Sequence, residues 1–208
     1  MKRNKKSRFW FLLVLLSLLV ALPGASLADH PYQTPEGAFI TLAVPGEVTP
    51  IISSGEDYHG FIFEGIPDGI GIAPGPEAGT VDVYVTHEQS RVPFRNQADF
   101  QDSSISKLTL NSDAEVIAAS VALGPEQGYI RFCSAFMAGP DEGFSRYTFF
   151  TGEESNDIIA VPAGAQYGPD PALAPDRQAG YAVVLDTETG AFTEVAGMGR
   201  HNHENTIV

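Results

Sequence analysis

The feature that most restricts how this chain can fold is a succession of short β-prone runs separated by turn chemistry, with no amphipathic helical run of useful length after the first residues. Strands are expected over residues 38–44, where Pro45-Gly46 stops a β-branched run, and then over 61–63 and 80–86. Residues 104–110 and 114–122 form an expected hairpin, because Asn111-Ser112-Asp113 supplies turn residues between two strand-like runs. The succession then recurs. Residues 130–137 and 146–151 read as strands, and 180–186 with 191–195 read as a second hairpin around Thr187-Glu188-Thr189-Gly190. Residues 160–178, rich in Pro, Ala and Gly, read as an inserted loop.

Three of the runs meet a glutamate: Tyr84-Val85-Thr86-His87-Glu88, then Phe149-Phe150-Thr151-Gly152-Glu153-Glu154, and finally His201-Asn202-His203-Glu204. Glu88 and Glu154 stand 66 positions apart. Four short antiparallel strands per repeated unit are the signature of β-propeller blades, while a β-sandwich also uses strands at this density. The expectation is therefore an all-β chain: a partial β-propeller of about two to three four-stranded blades with an open edge, following an N-terminal signal helix. Its divisions are residues 1–28 as signal peptide, 29–60 as an extended lead-in with a short strand, and 61–208 as the N-terminal portion of the propeller. A propeller ring needs at least about four blades, so missing C-terminal blades are expected partners of this piece.

Lys2, Arg3, Lys5, Lys6 and Arg8 precede an unbroken apolar run from Phe9 to Leu22, which Pro23-Gly24 ends. Small residues at Ser26 and Ala28 then predict signal-peptidase cleavage after Ala28, and hence a secreted, extracytoplasmic protein. The apolar run is shorter than the roughly 20 residues that span a bilayer, so membrane association is expected only through an uncleaved signal segment. No adjacent arginine pair precedes the run, which points to the general secretory route rather than the twin-arginine one.

Cleavage removes five of the 12 Lys+Arg and none of the 26 Asp+Glu, so 7 basic residues face 26 acidic ones, a formal charge of −19. That balance argues against nucleic acid or an anionic membrane as partner and suits a protein that gathers cations. The single cysteine, Cys133, excludes an internal disulfide, which leaves the core, metals or both to hold an exported fold. Carboxylates at strand ends are what a calcium or transition-metal site takes. Read on their own, the same residues have plainer roles. Cys133 suits a small buried apolar position, Glu153-Glu154 could lead a strand into solvent, and Asp68 in Pro67-Asp68-Gly69 reads as a turn residue.

Pro67-Asp68-Gly69, Thr86-His87-Glu88, Cys133-Ser134, Thr151-Gly152-Glu153-Glu154 and Gly199-Arg200-His201-Asn202-His203-Glu204 occur in an order that resembles the PhoX-type alkaline phosphatases and their domain relatives. The likeness runs from about Glu64 to the C-terminus. It implies a secreted β-propeller carrying calcium and an iron pair at its axial channel. It also implies Cys133 as an iron-bridging thiolate, Glu153 or Glu154 as iron and calcium ligands, and Glu88 and Glu204 within the family's metal-binding segments. The substrate would be a small phosphate ester. Its dianion would be repelled by so acidic a chain unless bound cations reversed the local field, and Arg131 and Arg200 are the guanidinium candidates for clamping it. The expected function is phosphomonoester hydrolysis by the complete propeller. The alternatives are a non-catalytic calcium-stabilised propeller that serves as a binding module, and a phytase-like or esterase-like propeller.

Overall fold

A computed structural model describes residues 30–88, 102–156, 158–160 and 176–207. The signal segment, residues 1–28, and residues 161–175 of the expected inserted loop lie outside the described residues. The strands are β1 (Asp57–Tyr58), β2 (Phe61–Ile62), β3 (Pro67–Pro74), β4 (Val81–His87), β5 (Ser104–Leu110), β6 (Val116–Leu123), β7 (Phe136–Ala138), β8 (Thr148–Gly152), β9 (Ile158–Ala160), β10 (Asp176–Gln178), β11 (Ala182–Asp186) and β12 (Phe192–Glu194). Among the described residues the only helical turns are short 3₁₀ segments. The described residues are all-β.

Two four-stranded antiparallel sheets dominate. The first runs β3-β4-β5-β6 and the second β7-β8-β11-β12, each in chain order, while β9 and β10 pair separately as an excursion between β8 and β11. Both expected hairpins form where the turn residues placed them. Asn111 Oδ1 accepts the backbone N–H groups of Asp113 and Glu115 at 3.0 and 2.9 Å. Asp186 Oδ1 likewise accepts those of Glu188 and Thr189, both at 3.0 Å.

The departures from expectation have physical causes. Residues 38–44 form no strand, because the run finds no ladder partner and leaves Phe39 95% exposed. Pro67-Asp68-Gly69, where Asp68 reads as a turn residue, instead opens strand β3, with a register shift between Pro67 and Ile70. Its glycines are there because the second sheet occupies the space a side chain would need. A Cβ on Gly71 would lie 2.7 Å from Phe149 Cε2, and one on Gly69 would collide with the Ser134 backbone. Residues 130–137 are not one continuous strand: Arg131 takes a positive φ of 52°, Phe132 makes an isolated bridge to Glu153, and regular pairing begins only at Phe136.

The pleat sends alternate side chains of β4 and β5 to two cores. Tyr84 and Ile105 join Leu123, Tyr129, Phe132, Phe149, Val183 and Leu185 in one cluster, with the Tyr84 and Phe149 rings 5.7 Å apart across the sheets. Val85, Leu108 and Leu110 face the other way. There they pack with Val116, Tyr58 and Phe63, and Tyr32, Ile51 and Ile52 of the lead-in cover them. Burying each such side chain is worth about 1.5–3 kcal/mol, so both faces of the first sheet contribute to its stability.

His87 is one of the polar side chains buried inside this packing. It is wholly buried, with Nδ1 3.2 Å from the Gly65 carbonyl oxygen and Nε2 2.8 Å from Ser106 Oγ. A carbonyl can only accept, so Nδ1 carries the proton and Nε2 accepts from the serine, which is the neutral tautomer. Burial pushes the imidazole from its ordinary 6.5 down to about 4. The unfolded chain therefore takes up this proton before the folded one does. The stabilisation is complete above pH 6.5 and is lost as pH falls through about 4, with a size on the order of 3 kcal/mol. Urea titrations across this window should show a shallower fall in stability for His87→Gln, which keeps polar atoms but cannot ionise; identical slopes would contradict the assignment.

Candidate metal centre

The sheets bring their chemistry to one place by using the same backbone device twice. In the first sheet, Ile66 takes a positive φ of 47° and its carbonyl accepts the Glu88 N–H at 3.1 Å, while Pro67 pairs with His87. In the second, Arg131 takes a positive φ of 52° and its carbonyl accepts the Glu154 N–H at 2.9 Å, while Phe132 bridges to Glu153. Counting from the left-handed residue, Asp68 in the first sheet holds the position of Cys133 in the second. Glu88 likewise holds the position of Glu154.

These four side chains meet. One ligand atom from each of Asp68, Glu88 and Cys133 lies within 4.8 Å of the other two. Cys133 Sγ is 3.2 Å from Glu154 Oε2 and 3.2 Å from the Arg131 carbonyl oxygen. Glu204 lies beside them, its carboxyl raised by Glu154 first and by the Asp68 and Glu88 charges as well.

So many acidic groups in one place disturb each other's ionisation. Burial, then the neighbouring Glu154, Glu88 and Asp68 charges, push the Cys133 thiol far above its ordinary range. Burial pushes the Glu88 carboxyl up, and Asp68 and Glu154 add to this, against the opposing effects of Cys133 and Arg131. The hydrogen bond and charge of Glu154 raise Glu204. Burial is the larger cause for Cys133 and Glu88, the neighbouring carboxylates add to it, and a bound cation would offset both by favouring the ionised forms. The donor set fits one: carboxylate oxygens suit hard cations such as calcium, and a thiolate suits a transition metal.

Of the residues singled out in the sequence, Glu88, Cys133, Glu154 and Glu204 come together here. The exposed Arg131 lies within electrostatic reach of Glu88. Glu153 goes elsewhere. Its carboxylate is wholly buried and accepts the backbone N–H groups of Ile130, Gly180 and Tyr181, each at 3.0 Å. Arg200 stacks on Tyr181, its guanidinium carbon 4.2 Å from the ring centroid, and hydrogen-bonds to the Tyr181 hydroxyl and to the Gln178 carbonyl at 3.3 Å. Asp68, which in the sequence reads as a turn residue, also belongs to the group. The signal that could have found it is the repeat itself, since the 66-position offset that matches Glu88 with Glu154 brings Asp68 to within one place of Cys133.

In cation-free protein, alkylation of Cys133 should have a pH midpoint well above the roughly 8.5 of an unperturbed thiol. Glu154→Gln should move that midpoint down, because it removes the hydrogen-bonded charge; an unmoved midpoint would show that the two side chains do not interact. No protein-family profile, curated protein or solved structure matches this chain.

Proposed function

We propose that this chain is part of a secreted, metal-dependent phosphatase-like β-propeller, in which Asp68, Glu88, Cys133, Glu154 and Glu204 hold cations that receive a small phosphate ester. The observation that carries the reading is the convergence of matching strand ends from two successive four-stranded sheets on one acidic cluster. Propeller blades are four-stranded meanders of this kind, stacked so that their inner strands surround a channel. Here β3 and β7 would be the inner strands, and further sheets of the same kind would complete the ring. Two sheets do not close one.

The residues have separate tasks in this scheme. The carboxylates and the Cys133 thiolate would hold calcium or iron, which when bound would supply Lewis-acid stabilisation to the phosphoryl oxygens. Arg131, exposed beside Glu88, reaches a non-bridging oxygen of the ester and orients it. Its left-handed backbone holds it at the rim of the cluster, at a conformational cost on the order of 1–3 kcal/mol. Arg200, engaged with Tyr181, braces the segment that carries Glu204.

The test is hydrolysis of p-nitrophenyl phosphate by the purified full-length protein. Activity should vanish on chelation and return with added metal. Cys133→Ala and Glu88→Gln should each lower it by more than the about 10–100-fold that changes behind a metal's ligands cost. Normal turnover in both variants would sink the phosphatase reading. Calcium-dependent melting with no hydrolysis of any phosphate ester would instead favour a calcium-stabilised binding module, and substrate profiling separates a phytase-like or esterase-like activity.

A further inference from the structure

His87 and Glu153 are wholly buried polar side chains that bind no metal in the scheme above, yet they occupy equivalent places in the two sheets. Each sits one residue before a cluster carboxylate, opposite the residue that follows a left-handed position. The His87 imidazole grips the carbonyl of Gly65, immediately before Ile66. The Glu153 carboxylate grips the N–H of Ile130, immediately before Arg131. The chemistry is inverted, a donor on a carbonyl in one sheet and an acceptor on an amide in the other, but the point gripped is the same. Each side chain also reaches the next strand. His87 Nε2 meets Ser106 on β5, and Glu153 Oε2 meets the N–H groups of Gly180 and Tyr181 just ahead of β11.

We propose that His87 and Glu153 are matched positioning residues, each clamping the backbone ahead of a left-handed residue so that Asp68 and Cys133 are delivered to the cluster; the inference rests on the cation reading above. A left-handed conformation at Ile66 or Arg131 does not persist without surrounding structure to hold it. The clamp supplies that structure, together with the carbonyl bonds to the Glu88 and Glu154 amides. Two residues further on, the chain places Asp68 in the first sheet and Cys133 in the second. Release of either clamp lets the left-handed residue relax, and the donor two positions later swings away from its partners. Neither His87 nor Glu153 is among the side chains that would hold the cation. They act through the residues they position, as outer hydrogen-bond partners do at other metal sites.

The experiment compares full-length wild type with Glu153→Gln and with Leu185→Ala, a core truncation in the same sheet that lowers the melting temperature by a different route. The readouts, taken where circular dichroism shows native protein, are the rate at which a thiol reagent modifies Cys133 in chelator and the affinity for calcium by calorimetry. Glu153→Gln sets an amide N–H₂ against one of the three backbone donors. It should speed thiol modification and weaken calcium binding by about 10–100-fold, whereas Leu185→Ala should change neither. A folded Glu153→Gln with wild-type thiol rate and calcium affinity overturns the proposal. If that variant does not fold, the His87 pair decides in the same assays. His87→Leu should weaken calcium binding, and His87→Gln, which keeps a donor for the Gly65 carbonyl, should restore it; a His87→Leu protein that binds like wild type overturns the proposal. If wild type takes up no calcium the cation reading falls, and the thiol rates still judge whether Glu153 sets Cys133.

Discussion

Ile66 and Arg131 hold left-handed backbone conformations that side chains with a Cβ rarely adopt, and the arrangement of the acidic cluster depends on both. For a β-branched isoleucine the conformation is costlier than for a residue such as asparagine. Each is held from two directions, by a carbonyl-to-amide bond onto the strand that follows and by a buried polar side chain one position away. The consequence is local and geometric. Two residues beyond each left-handed step, Asp68 lies close to Glu88 and Cys133 close to Glu154.

What the turn creates is electrostatically unfavourable by itself. Burial and neighbouring carboxylates push the Cys133 thiol and the Glu88 carboxyl upward, and Glu154 does the same to Glu204. Packing provides the compensation: Phe149 lies against Gly71, the Ser134 backbone lies against Gly69, and the shared aromatic core holds the sheets together behind the cluster. A bound cation would relieve this repulsion. On the proposed function, that cation would also let a chain with 26 acidic and 12 basic residues receive an anionic ester.

Much of this was legible in the residues. The hairpins followed from Asn111-Ser112-Asp113 and Thr187-Glu188-Thr189-Gly190, because turn chemistry is local. The match between Glu88 and Glu154 survived because offset in a repeat is a property of the chain. What could not be read has a tertiary cause. The glycines of β3 mimic a turn, since nothing in sequence reveals the Phe149 ring and Ser134 backbone that require them. Adjacent strand residues point to opposite faces, so of Glu153 and Glu154 one had to enter the interior and the other the cluster; only the bridge between Phe132 and Glu153 decides which. Residues 38–44 have strand propensity but no partner, and propensity without a ladder does not make a strand.

The central claim is that matching strand ends of two sheets build one cation-holding cluster, and its most direct test is the metal content of the purified full-length protein. Elemental analysis by mass spectrometry should find calcium or iron in stoichiometric amount in wild type and its loss from a Glu88→Gln, Glu154→Gln double variant that remains folded. A folded wild type that carries no metal and takes none up on titration, or a double variant that retains the wild-type content, would contradict the account.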